Sequence, residues 1–232
     1  MITYITCTGE RQEAFSQCEK YLERQTYKGP VQWIVVDDGR VSTKTKLPCE
    51  YYRGPKIWQE GFNTQRLNMD LALTKVNPAS TAIFFIEDDD WYAPTFVQTF
   101  LNLLKFGDIV GLADTAYYNI KIPGIKKMRN FAHASLCQTA INTVLFPQVV
   151  KAVNSGEKYF DIELWKYANE LNTKSILIQD PKLSIGMKGL KGRGGIGIGH
   201  KDRGYQLDNN FKQLEELIGV NDGLFYRQQA KG

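Results

Sequence analysis

Two clusters of acids are the features of this 232-residue sequence that could do chemistry: Asp37-Asp38-Gly39 after Val31-Gln-Trp-Ile-Val-Val36, and Glu87-Asp88-Asp89-Asp90 after Ala82-Ile-Phe-Phe-Ile86. Each follows a short continuous apolar run, the pattern of a strand buried on both faces. In an open α/β sheet, ligands collect outside the carboxyl ends of such strands, so the two clusters are expected at one site. Four consecutive carboxylates repel one another unless a cation sits among them, and hard oxygen donors suit Mg²⁺ or Mn²⁺. A divalent ion bridging a diphosphate is the simplest occupant. The plainer alternatives are an Asx turn at Asp37-Asp38-Gly39 and a helix cap at Asp90. A cap needs one acid, whereas this stretch has four.

Residues 188–203, Lys-Gly-Leu-Lys-Gly-Arg-Gly-Gly-Ile-Gly-Ile-Gly-His-Lys-Asp-Arg, include Gly192-Arg-Gly-Gly-Ile-Gly197. They lack the strand, helix and distant acid of a dinucleotide fingerprint, which argues against a nicotinamide cofactor. Glycines that let backbone amides approach phosphate, with Lys188, Lys191, Arg193 and Arg203 for charge, suit a diphosphate lid or an acceptor-backbone clamp. A disordered glycine-rich loop is the alternative. Of the two histidines, His133 lies among Phe131, Ala132 and Ala134 and reads as a core or strand residue, while His200 lies in a polar loop able to close over a nucleotide. Cys7, Cys18, Cys49 and Cys137 have no paired spacing, so neither a zinc site nor a disulfide framework is predicted.

The elements that must hold these residues follow from apolar periodicity. Strands are predicted at 2–7, 31–36, 49–53 and 82–86, and helices at 10–24, at 62–75 and from Pro94 to near Gly107. Strand alternating with helix predicts a three-layer α/β plan with a mostly parallel sheet. The second half reads less regularly: a strand at 109–112, a basic loop at 121–129, a mixed segment at 134–146, a helix at 159–171, a last core strand at 175–178 and an amphipathic helix at 209–218. With 43% hydrophobic and 12% aromatic residues, one domain can bury its own core. No apolar run approaches the ~20 residues of a membrane-spanning helix, and the first residues lack a leader pattern, so a soluble cytoplasmic protein is expected. The net charge of +4 is uneven: residues 1–116 carry 12 basic and 15 acidic side chains, residues 117–232 carry 17 and 10. The acidic half suits a metal, and the basic half suits a diphosphate or a nucleic-acid backbone. Plain solvated lysines are the alternative.

Ile34-Val-Val-Asp-Asp-Gly39 and Phe85-Ile-Glu-Asp-Asp-Asp-Trp-Tyr-Ala-Pro94 resemble the family 2 glycosyltransferases with the GT-A fold. Phe160-Asp-Ile-Glu-Leu-Trp165 is similar to that family's acceptor-side Glu-Asp-x-Asp-Leu-Trp segment, with Phe160 in place of the first acid. The resemblance is good over 1–115 and fair around 155–178. It implies a GT-A (Rossmann-like) α/β fold in one glycosyltransferase domain, with residues 1–115 binding a nucleotide sugar and residues 116–232 binding the acceptor and carrying a C-terminal lid. The activity implied is metal-dependent, inverting hexosyl transfer from a nucleotide-sugar donor, a UDP-sugar, to a hydroxyl.

On that register Glu87 and Asp89 take the outer positions of the DxD motif, glutamate replacing its first acid, and His200 completes the Mn²⁺ or Mg²⁺ site. Asp161 falls on the catalytic base. Thr8, Asp37, Asp38, Asn63, Arg66, Asp88, Lys191 and Arg193 are expected around the donor, and Asn68 reads as a solvated helix end. The compact size and basic second half also resemble bacteriophage glycosyltransferases, some of which modify hydroxylated bases in DNA; in that case the host cytoplasm is the location. Trp91, Tyr92, Tyr117 or Tyr118 would then stack on a flipped base. Two other classes stay open. A nucleotidyltransferase would release pyrophosphate and needs a basic residue in a glycine-rich loop after strand one, for which Thr8-Gly-Glu-Arg11 is a poor version. A non-catalytic nucleotide- or nucleic-acid-binding module would have no metal site. Sugar, acceptor and oligomeric state are not set by the sequence.

Overall fold

The computed structural model describes residues 1–171, 173–193, 198–201 and 203–231. From the N-terminus the chain runs β1 (Ile2–Thr8), α1 (Gln12–Glu23), β2 (Val31–Asp37), β3 (Glu50–Arg53), α2 (Gln65–Leu73), β4 (Ala82–Phe85), β5 (Trp91–Tyr92), α3 (Phe96–Leu103) and β6 (Ile109–Leu112). It continues with β7 (Ala116–Asn119), β8 (Gly124–Lys127), β9 (Thr139–Asn142), α4 (Phe146–Asn154), α5 (Phe160–Glu170), β10 (Ser175–Ile178), β11 (Ser184–Lys188), β12 (Gln206–Leu207), α6 (Lys212–Ile218) and α7 (Val220–Ala230).

Among the described residues the strands form two sheets. The larger has the order β10-β6-β9-β4-β1-β2-β3 and is parallel except for β9, which runs antiparallel between β4 and β6. Its inner strands β2, β4 and β6 read as continuous apolar runs because both faces are covered. The period of two then sorts neighbours: Phe84 and Val35 pack into one core with Phe15, Phe96 and Phe100, while Phe85, Ile34 and Val36 pack into the other with Met69, Leu164 and Trp165. These two cores are the interfaces of the three-layer arrangement expected from the sequence. The smaller sheet, β12-β8-β7-β11-β5, packs beside the first core and carries the second half of the chain to the strand ends.

Several elements depart from the sequence reading. The stretch read as glycine-rich from residue 186 begins inside β11, whose five residues are all buried. Gly186 belongs there because the Tyr117 ring of β7 lies where a Cβ would be. The basic segment 121–129 contains β8, whose hairpin with β7 lacks the long alternating run that marks a strand. β10 is an edge strand with four partly exposed residues, not a core strand. Helices α4 and α7 were not anticipated, and α7 has no clear apolar stripe to announce it. Asp90 caps no helix: α3 starts after Thr95, and Asp90 accepts the Met187 N–H at 2.7 Å.

Candidate active site

A cleft of about 990 Å³ opens at the carboxyl ends of β1 and β4, walled on its far side by the start of α5 and by β11. Its floor is an ion-pair lattice. Arg11, in the turn from β1 to α1, places Nη1 2.7 Å from Asp89 Oδ2 and Nη2 2.6 Å from Asp88 Oδ1. Thr8 donates to Asp88 Oδ2 at 2.6 Å. Lys188 closes β11 with Nζ 3.3 Å from Asp90 Oδ1. Arg193 places Nη1 2.9 and 2.8 Å from the two oxygens of Asp38, which also accepts from Asn68 at 2.6 Å and from Thr64. Asn68 is therefore a buried partner of Asp38, not a solvated helix end.

Of the residues expected to meet ligand, Asn63, Glu87, Asp89, Asp161, Arg193 and His200 line the cleft. Thr8, Asp38 and Asp88 are buried behind that lining, and Arg66 and Lys191 are exposed away from it. Asp37 accepts the N–H groups of Gly39 and Thr43 and the Tyr51 hydroxyl, and pairs with Arg53 at 3.1 Å, so it shapes the loop after β2. His133 is a partly buried loop residue on the cleft wall, neither core nor strand. Trp91, Tyr92 and Tyr118 are buried core residues unable to stack on a ligand. Tyr117 does line the cleft, its hydroxyl 2.7 Å from Ser135 Oγ. Trp58, Phe62, Tyr159 and Arg129 line it too and were not foreseen; each sits in a loop or at an element end, outside any periodic pattern. Arg11 was weighed only as part of Thr8-Gly-Glu-Arg11, a poor version of a nucleotidyltransferase loop, and not as a partner of the acids. Its position right after strand one was the available signal.

Burial is the largest influence on the carboxyls of the second acid cluster. It pushes the Asp88 carboxyl up to about 6 despite Arg11, and the Asp90 carboxyl up to about 7 despite Lys188. Burial acts on Asp89 in the same direction, but Arg11 and Lys188 outweigh it and hold that carboxyl below its usual range. His200 is held down to about 4 by burial and by Lys188, so its imidazole is neutral near pH 7. Burial also raises Asp161, in the first turn of α5, although the backbone N–H groups of Ile162 and Leu136 pull it partly back.

The metal expected from the acid cluster can be tested against this donor set. Glu87, Asp89 and His200 do not converge. The group whose ligand atoms all lie within 4.8 Å of one another, among the described residues, is Glu87, Asp90 and Cys137. Burial holds the Cys137 thiol protonated, a poor partner for a hard cation. Asp89 is already bonded to Arg11 through Oδ2, so a cation bound at that oxygen would displace a buried ion pair. As it stands, the lattice does not fit Mg²⁺ or Mn²⁺ bound through Asp89.

Fold and cleft together define a GT-A-like α/β protein. The crystal structure of S. aureus TarS matches it with a TM-score of 0.56 at 11% identity, covering 81% of this chain and 37% of that one. TarS 1–349 in complex with UDP-GlcNAc matches with a TM-score of 0.56 at 13% identity, covering 84% and 60%. The 4-diphosphocytidyl-2C-methyl-D-erythritolsynthase of Anaerococcus prevotii matches with a TM-score of 0.51 at 10% identity, covering 100% and 96%. The chain thus spans less than two thirds of the TarS chains. No protein-family profile and no curated protein matches it. No helix among the described residues is long and apolar enough to cross a membrane.

Proposed function

We propose that the chain is an inverting glycosyltransferase that moves a hexosyl group from a nucleotide diphosphate sugar to a hydroxyl acceptor. One observation carries this reading. A GT-A-like fold, shared with a protein solved with UDP-GlcNAc, puts Asp161 and the acid–cation lattice on the wall of one cleft. The donor lies across the ends of β1 and β4 with its diphosphate at the lattice, and the acceptor enters from the α5 side. Asp161 takes the proton of the acceptor hydroxyl. The acceptor oxygen then attacks the anomeric carbon from the face opposite the diphosphate, the carbon–oxygen bond to phosphate breaks, and its electron pair leaves with the diphosphate. Arg11 Nη1 holds Asp89 Oδ2, and Asp89 with Glu87 would be the residues to hold a divalent cation, which would supply positive charge at the diphosphate.

The cleft lining is aromatic and basic: Tyr159 adjoins Lys158 in the chain just before α5, Arg129 follows β8, and Trp58 and Phe62 come from the loop after β3. A hydroxylated base in DNA suits it, because aromatic faces stack on bases and cations hold phosphates. The test is a thermal melt with UDP, GDP and TDP, each with and without Mn²⁺. A nucleotide at ~100 times its Kd adds about 2.7 kcal/mol. A shift with one nucleotide supports a donor site, and no shift with any of them in either condition removes the reading.

Nucleotidyl transfer is the second reading. It is favoured by the full-length likeness to the A. prevotii synthase and by Arg11, the basic residue after strand one, lining the cleft. Pyrophosphate release from CTP or UTP would select it over glycosyl transfer.

A further inference from the structure

The acids of the cleft carry their own counter-ions, and these come from two distant parts of the chain. Arg11 follows β1, Lys188 ends β11 and Arg193 follows a glycine turn, yet all three line the cleft with their acids at their backs. Arg11 bridges Asp88 and Asp89 with its two terminal nitrogens, which leaves Nε as a buried donor without a partner. Its side chain is only 10% exposed. Arg11 also lines the open cleft, so its guanidinium sits where an anionic oxygen from outside the protein would approach. Lys188 Nζ stands 3.3 Å from one carboxylate oxygen and above the Tyr117 ring, and an ammonium has three protons to give.

On the reading of the cleft as a nucleotide-sugar site, we infer that this protein binds its donor diphosphate without a divalent metal, Arg11 and Lys188 supplying the positive charge at the acid cluster. The carboxylates then serve to fix the two cations rather than to ligate an ion. A guanidinium held by two buried aspartates and an ammonium held by a third are oriented before substrate arrives, so neither has to reorganise when charge moves onto the leaving phosphate oxygen. A metal at Asp89 Oδ2 would have to displace Arg11 Nη1 from it. Arg193, held by both oxygens of Asp38, adds a third cation on the side of β2.

The test is titration calorimetry of the full chain with UDP, GDP and TDP, in excess EDTA and again with Mn²⁺, repeated on Arg11→Lys and Lys188→Gln. Arg11→Lys keeps a charge beside Asp88 and Asp89, so the fold is retained while the forked guanidinium geometry is lost. The expected result is a nucleotide whose Kd changes less than about 3-fold between EDTA and Mn²⁺, and which each variant weakens by roughly 10-fold or more, as loss of a charge-assisted contact does. Binding that appears only with Mn²⁺ overturns the inference and leaves the glycosyltransferase reading standing. Binding in EDTA that neither variant weakens also overturns it. Absence of binding by any nucleotide in either condition removes both.

Discussion

Asp161 is the residue on which the proposed chemistry turns, and its raised pKa makes two expectations with opposite signs. As a base it works only when ionised, so the acid limb of the pH–rate profile is expected above the ~3.9 of an ordinary aspartate. For stability, a carboxyl whose folded pKa lies above its unfolded value contributes fully below the unfolded value and loses that contribution as pH rises through the folded one. Asp161→Asn cannot ionise. It is expected to raise Tm at pH 7 while cutting turnover by ~100-fold or more, with nucleotide affinity unchanged. Wild-type turnover in this variant, measured beside its melt, would remove Asp161 from the mechanism. At this scale the acids were readable, because four carboxylates after an apolar run are rare and conspicuous. Their partners were not: Arg11 and Lys188 lie far from one another in sequence, and only folding brings both onto the cluster.

Among the elements, α5 decides where Asp161 points, and Trp165 decides where α5 sits. Trp165 is 1% exposed, and its Nε1 donates to Thr139 Oγ1 of β9 at 3.2 Å. Across the same contact Gly111 of β6 leaves no room for a methyl, since a Cβ there would lie 2.6 Å from the Trp165 ring. Gly111→Ala is expected to destabilise by about 1–3 kcal/mol through overpacking, read as a loss of roughly 2–4 °C in Tm for each kcal/mol. Turnover should fall while nucleotide affinity holds, because the displaced element carries Asp161, the proposed base. Gly192 makes the converse case. At φ +97 it packs against the Glu10 carbonyl with no space for a Cβ, and the next residue is Arg193. Gly192→Ala is expected to lift Arg193 from Asp38, so calorimetry should show weakened nucleotide binding with a smaller effect on Tm. Gly111 could not be singled out from the sequence, and Gly192 was seen there only as the start of a glycine-rich run, since each is constrained by an element distant along the chain.

For the whole molecule the governing feature is charge. The excess of basic over acidic side chains lies entirely in residues 117–232, and two members of that excess, Lys158 and Arg129, line the cleft. If the acceptor is DNA, its affinity is expected to fall steeply between 50 and 200 mM salt, by roughly 10³-fold or more for six or more phosphate contacts, whereas binding of a small neutral hydroxyl acceptor would be nearly flat. A salt titration with a hydroxylated oligonucleotide separates the two.

The parallel half of the fold was determined by the sequence alone. Strands buried on both faces and helices with one apolar stripe leave a local period, and the acids at the strand ends announce a site. What only the tertiary structure decided is which charges meet. Arg11 and Lys188, far apart in the chain, meet the acids after β4 while Arg193 meets Asp38, β11 is buried against Tyr117, and three of the four aromatics expected to stack on a ligand disappear into the core. Local periodicity reports how an element is covered. It cannot report which distant side chain occupies the space beside a carboxylate, because that choice is made by packing between elements far apart in the chain.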